Sequence, residues 1–77
     1  MTSIWTMNWL GAPDAAGHVP ILHGETQYQR GVQQMRGRAR SAMTSALHEI
    51  PLVAAVAVYD DTGKEVLRIT RADVTDA

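Results

Sequence analysis

The segment best equipped for chemistry is rich in arginine: residues 28–40 read YQRGVQQMRGRAR. It holds four of the chain's six arginines, namely Arg30, Arg36, Arg38 and Arg40, and it contains no acidic residue. The planar guanidinium group forms paired hydrogen bonds with phosphate oxygens, and glutamine can bind the edge of adenine. The segment is therefore a candidate for binding nucleic acid or another anionic partner.

The apolar pattern of the same segment favours a different interpretation. Apolar residues recur at spacings of three and four, which predicts a helix over residues 25–49. At about 100° per residue, Arg30, Arg36 and Arg40 lie on or beside one flank of that helix. Arg38 lies on the opposite flank, so the arginines bracket the apolar stripe, as in a helix that is docked on a sheet. We favour a solvated helix face and keep nucleic-acid binding by the first three arginines as the alternative.

Two short motifs resemble known functional sites but depart from them. Arg36-Gly-Arg38 resembles the core of an AT-hook, yet the flanking prolines of that motif are missing. Asp61-Thr-Gly63 resembles the catalytic triplet of aspartic proteases, yet Lys64 stands where that family has a small or apolar residue. A hairpin turn accounts for the same three residues, because aspartate and glycine both favour turns.

The remaining polar residues predict neither a metal site nor a catalytic one. The histidines His18, His23 and His48 are widely spaced, and the chain contains no cysteine to complete a zinc site. His48 follows serine and threonine residues on the predicted helix, but no orienting acid or oxyanion donor accompanies them. We expect no enzymatic activity, no cofactor and no bound metal.

The tryptophans are the strongest candidates for contact with another molecule. Trp5, Met7 and Trp9 alternate with polar residues in the stretch SIWTMNWL, which predicts a half-buried strand at residues 3–10. Tryptophan is enriched at the energetic centres of interfaces, so these three are the predicted interaction residues. Core burial is the competing interpretation, because the chain lacks phenylalanine and needs bulk elsewhere.

Three further strands are predicted around the helix. Residues 18–23 read as an optional edge strand, because Pro20 cannot donate a backbone hydrogen bond within a sheet. Residues 52–60 and 64–71 read as a hairpin closed by a glycine-bearing turn, and residues 72–77 read as a frayed tail.

These elements together predict an α+β fold forming a single small domain over residues 1–77. An antiparallel sheet of three or four strands, in the order β-β-α-β-β or β-α-β-β, carries one long helix on one face. The strand at 52–60 is apolar on both faces, and Ile4 and Leu10 point away from the tryptophans. One helix cannot cover all of this surface, so we expect a homodimer.

Composition narrows the functional class. The net charge of −1 gives no overall attraction to nucleic acid or membranes, and the longest apolar run, at 51–59, is too short to cross a bilayer. The first ten residues do not resemble a secretory signal, so we expect a cytoplasmic protein. Arginine outnumbers lysine six to one, a bias typical of GC-rich genomes such as those of actinobacteria and their phages. We expect a non-enzymatic protein-interaction module, a homodimeric accessory or phage-type factor that binds a protein partner.

Overall fold

The computed structural model describes residues 2–75, which form four strands and two helices. In chain order these are β1 (Ser3–Leu10), β2 (Ile21–Gln29), α1 (Val32–Glu49), β3 (Ala55–Tyr59), β4 (Glu65–Thr70) and α2 (Arg71–Thr75). The strands make one antiparallel sheet in the order β2-β1-β3-β4, and α1 packs on one of its faces. The predicted α+β class and the β-β-α-β-β order are confirmed, with α2 as an addition.

The core lies between α1 and one face of the sheet. Alternate residues of β1, β3 and β4 point to this face, and an apolar stripe of α1 packs against them. The buried residues of this layer are Met7, Met35, Ala39, Met43, Ala46, Val53, Val56, Val58, Leu67 and Ile69. Alanine at two of the helix positions lets α1 approach the sheet closely, so a thin core is still fully packed.

The opposite face of the sheet is less apolar than the sequence predicts. β3 contributes Ala55, Ala57 and Tyr59 to this face, and Ala57 has Asn8 and Arg68 as its cross-strand neighbours. The neighbouring strands add threonine side chains and the cross-strand pair Ile4 and Tyr28, which are 51% and 63% exposed, whereas Leu10 is already buried. The apolar area on this face is therefore small along β3 and continues at Ile4 and Tyr28, and its cover by a second subunit stays a prediction.

The start of the helix also differs from the prediction. Residues 25–29 belong to β2, which begins directly after Pro20 and replaces the shorter strand predicted at 18–23. Pairing with β1 over the whole length of β2 outweighs the weak helical periodicity of this stretch. The helix then begins at Val32.

The turn between β2 and α1 explains why the helix begins where it does. Gly31 has an extended backbone with φ −167° and ψ 177°. The side-chain oxygen Oε1 of Gln34 accepts hydrogen bonds from the backbone N–H groups of Arg30 (2.6 Å) and Gly31 (3.2 Å). A glutamine at this position satisfies donors that the helix leaves open, as in one half of a capping box.

The predicted hairpin is present with slightly shorter strands, and its turn depends on Asp60. The carboxylate oxygen Oδ1 of Asp60 accepts hydrogen bonds from the backbone N–H groups of Thr62 (2.9 Å) and Lys64 (3.1 Å), and Gly63 has a φ of 85°. The hydrogen bond from the Thr62 hydroxyl, followed by the two backbone bonds, holds the pKa of Asp60 below its usual value of 3.8. The Asp-Thr-Gly triplet is thus part of a turn.

The end of the chain contains a helix where a frayed tail is predicted. In α2, the Asp73 carboxylate oxygen Oδ2 accepts a hydrogen bond from the Thr70 N–H (2.8 Å), which caps the helix. Residues 76 and 77 of the predicted tail lie outside the described residues. Within residues 2–75, neither helix has the length and apolar character needed to span a bilayer.

Candidate functional site

A groove lies where α1 leaves the sheet uncovered. The helix packs mainly over β3 and β4, so the face above the β1–β2 hairpin stays partly open. The uncovered space forms a cavity of about 400 Å³. Its lining residues are Trp9, Leu22 and His23 from the hairpin, Ala42, Ser45 and Glu49 from α1, and Ile50 and Val53 from the turn that follows α1. We call this site the hairpin groove.

The hairpin side of the groove is built by cross-strand pairs. Trp9 is paired directly with His23, and their ring centroids lie 5.0 Å apart at an interplanar angle of 55°. His23 Nε2 lies 3.5 Å from Glu25 Oε1, and Gln27 Nε2 donates a hydrogen bond to Glu25 Oε2 (3.1 Å). The groove therefore has an aromatic floor and a polar outer wall on β2.

Two lining residues of the groove, Leu22 and Ile50, are exposed apolar side chains, as are Ile21 and Leu52, which lie within two positions of them in the chain. The exposed fractions there are 63% for Ile21, 44% for Leu22, 46% for Ile50 and 76% for Leu52. The first two begin β2, and the other two belong to the turn between α1 and β3. Apolar side chains left in water beside a concave site are typical of a surface that binds another molecule.

The flank of α1 that lines the groove carries a different charge at each of its two ends. Glu49 lines the apolar groove, whereas Arg38 lines a more open depression near the start of the helix. The other residues of that depression are Gln29, Gln34, Gly37 and Ser41. A molecule lying along the helix therefore meets an acidic end and a basic end.

The predicted interaction residues occupy three different environments. Met7 is 3% exposed and belongs to the core, which agrees with the competing interpretation for this residue. Trp5 is half-buried, and its indole N–H donates a hydrogen bond to the Gln29 carbonyl (3.2 Å). Trp9 is half-buried and lines the groove. Of the three, the groove brings only Trp9 together with other apolar lining residues.

Sequence reasoning missed the residues that surround Trp9 in the groove. Leu22 falls in the optional strand predicted at 18–23, and Ile50 directly follows the helix predicted at 25–49. Val53 was assigned to a predicted central strand and lies in the turn before β3. The sequence signal that could have indicated this site is the presence of apolar residues near Pro20 and Pro51, where regular elements begin or end.

The three arginines of the nucleic-acid alternative do not converge on one surface. Arg30 lies in the turn before α1, and Arg36 and Arg40 lie on the flank that faces α2. Hydrogen bonds from the N–H and hydroxyl of Thr70, together with the charge of Arg40, lower the pKa of Asp73. One of the three arginines thus already has an acidic neighbour.

Residues with catalytic side chains also meet in the groove without forming a reactive arrangement. Ser45, His23 and Glu49 all line it, but no hydrogen bond within residues 2–75 joins any two of them. A serine needs a hydrogen-bonded base to become a nucleophile. In the described part of the chain, no three histidine, aspartate or glutamate side chains come together as a metal site would require.

Comparisons of the chain with protein-family models, with curated proteins and with solved structures gave no match. The fold and the groove define the class on their own: a small α+β domain in which one helix covers half of a four-stranded antiparallel sheet. The open half of that face holds the hairpin groove.

Proposed function

We propose that the protein is a non-enzymatic protein-interaction module, which binds a segment of a partner protein in the hairpin groove and acts as a homodimer. The observation that carries the proposal is the groove itself. It places Trp9, Leu22, Ile50 and Val53 around one cavity of about 400 Å³. This volume lies at the lower end of the range of pockets that bind ligands, and it is large enough to receive side chains of a partner.

The surroundings of the groove favour a protein over a small molecule. The lining residues Leu22 and Ile50 are themselves 44% and 46% exposed, so the cavity has an apolar rim that is open to water. A small ligand would leave this rim in water, whereas a polypeptide would cover the rim and the cavity together. Trp9 at the floor is the residue type that most often supplies binding energy at such a centre.

The proposal of a homodimer rests on the outer edge of β2. This strand is nine residues long, lies at the edge of the sheet, and has mostly exposed side chains. Glu25 is its only acidic or basic residue apart from His23, so it carries little charge to prevent pairing with another strand. Antiparallel pairing of two such edges about a two-fold axis would leave both grooves on the same side of one continuous sheet.

A peptide-display selection tests the binding function directly. The bait is the full chain, and the blocked form is Ser45→Trp, which places an indole in the groove from an exposed helix position. Thr44→Trp is the matched control, because its neighbouring position is exposed and does not line the groove. Peptides that bind the native chain and the Thr44→Trp variant, but not the Ser45→Trp variant, support the proposal. Failure to recover any groove-dependent peptide overturns it.

The nucleic-acid alternative has less support than the protein-binding proposal. Arg36 and Arg40 share one flank of α1, but Arg30 lies outside the helix and the acidic Asp73 lies near Arg40. The net charge of −1 adds no general attraction for phosphate. Within the described residues α1 contacts α2, but β3 and β4 separate the two helices in the chain, so they are not the consecutive helices of a helix-turn-helix motif.

A further inference from the structure

We infer that the hairpin groove selects a linear protein segment in which an aliphatic side chain stands next to a lysine or arginine, with an acidic residue about five positions away. The inference rests on the proposed function, because it names the chemistry of the segment that the groove would bind. It is argued from the lining of the groove and from the charges at its two ends.

The aliphatic side chain follows from the lining of the cavity. The floor and walls come from Trp9, Leu22, Ala42 and Val53, with Ile50 at the rim. Burying an aliphatic side chain among such residues removes apolar area from water on both molecules. A polar side chain would instead lose its water and would find hydrogen-bonding side chains only at His23, Ser45 and Glu49.

The lysine or arginine of the bound segment follows from the negative charge at the Glu49 end of the groove. Glu49 lines the groove, and its carboxylate has no ion-pair partner within residues 2–75. Glu49 is also the last residue of α1, where the backbone carbonyls give the helix end a partial negative charge. Arg71 reaches this region, but its guanidinium donates to the Val53 carbonyl (2.8 Å). A lysine or arginine of a bound segment would supply the missing positive charge.

The acidic residue and its spacing follow from the length of the helix between the charged residues. Arg38 and Glu49 are eleven positions apart on α1. This separation corresponds to about 16 Å along the helix axis. An extended chain covers that distance in about five residues. The preferred segment thus carries opposite charges at its two ends, in the reverse order to those of the groove.

Two hexapeptides of identical composition test this inference. The first is acetyl-Lys-Leu-Thr-Ser-Thr-Asp-amide, and the second exchanges its lysine and aspartate. Dissociation constants are measured by NMR titration against the native chain and against the double variant Arg38→Glu, Glu49→Arg, which exchanges the charges of the groove and keeps the net charge. Circular dichroism checks that the double variant is folded, since both positions are exposed.

The native chain should bind the first peptide at least about threefold more tightly than the second, as expected for two weak exposed ion pairs. The double variant should show the reverse preference, and replacing leucine by serine should abolish binding to both proteins. Equal binding of the two hexapeptides, the same preference in both proteins, or no binding of either overturns the inference. The display selection separates this failure from that of the proposed function, because groove-dependent peptides without the charge pattern would leave the protein-binding function standing.

Discussion

Trp9 and His23 stand opposite each other on β1 and β2, and their rings lie 5.0 Å apart at an angle of 55°. This pair joins the floor of the hairpin groove to its outer wall. The position of the groove therefore depends on the register of the hairpin, which sets which β2 side chain faces α1. A slip of one residue would turn His23 to the other face of the sheet and remove that wall.

The stability of this scaffold should depend on the layer beneath α1. Val58 is fully buried in that layer, whereas Val66 is partly exposed on β4. Val58→Ala should lower the free energy of unfolding by about 2 kcal/mol, because two buried methyl groups are lost and a cavity remains. Val66→Ala should lower it by less than about 0.5 kcal/mol. Urea denaturation followed by circular dichroism measures both, and equal effects would show that the core has been assigned wrongly.

Much of the fold could be predicted because its patterns are local. Trp5, Met7 and Trp9 alternate cleanly with polar residues, and β1 has the predicted bounds. The end of α1 at Glu49 was also predicted, since Pro51 prevents the helix from continuing. In these places the sequence period and the tertiary packing agree.

The remaining features could not be predicted because they depend on contacts between distant residues. Residues 25–29 have side chains compatible with either a helix or a strand, and pairing with β1 decides the outcome. The groove depends on where α1 crosses the sheet, which no local period specifies. β3 is apolar on both faces as predicted, but the small area of Ala55 and Ala57 on its open face depends on neighbouring strands for cover.

The edge of β2 should determine the oligomeric state. Two lysines on this strand, in the variant Thr26→Lys, Tyr28→Lys, should convert a dimer into a monomer by placing like charges at the paired edge. The control is Ser41→Lys, Thr44→Lys, which adds the same charge to exposed positions of α1. Light scattering after size-exclusion chromatography gives the mass of each. A native chain that is monomeric at micromolar concentration would contradict the proposed homodimer.

The turn at Asp60 should give the protein a sensitivity to acid. The pKa of Asp60 lies below 3.8 in the folded chain, chiefly because of the Thr62 hydroxyl. Since its folded pKa is lower than its unfolded pKa, the carboxylate stabilises the fold above pH 3.8, and this contribution is lost as the pH falls through the folded value. The free energy of unfolding should therefore fall in this acidic range, and less steeply in Asp60→Ala.

The neighbouring Asp61 provides the control for that experiment. Its side chain accepts none of the hydrogen bonds found within residues 2–75, and it is exposed in the same turn. Asp61→Ala should keep the native dependence of stability on pH. If the two alanine variants show the same pH profile, the hydrogen bonds of Asp60 do not stabilise the turn as described.

Nucleic-acid binding should be weak and independent of the arginine-rich segment. The triple variant Arg30→Ala, Arg36→Ala, Arg40→Ala should bind single-stranded and duplex probes at low salt no differently from the native chain, because these side chains do not form one surface. Fluorescence anisotropy measures the binding. A native affinity that falls steeply with salt and is lost in the triple variant would instead support the nucleic-acid alternative.

The most direct test of the central claim is to locate a bound peptide on the protein. A peptide from the display selection is titrated into the ¹⁵N-labelled chain, and amide and indole signals are followed by NMR. The account predicts shifts at the Trp9 indole N–H and at the backbone amides of Leu22, Ser45 and Val53, with no shift at Arg68 on the opposite face of the sheet. Shifts confined to that opposite face, with the groove signals unchanged, would contradict the assignment of the hairpin groove as the binding site.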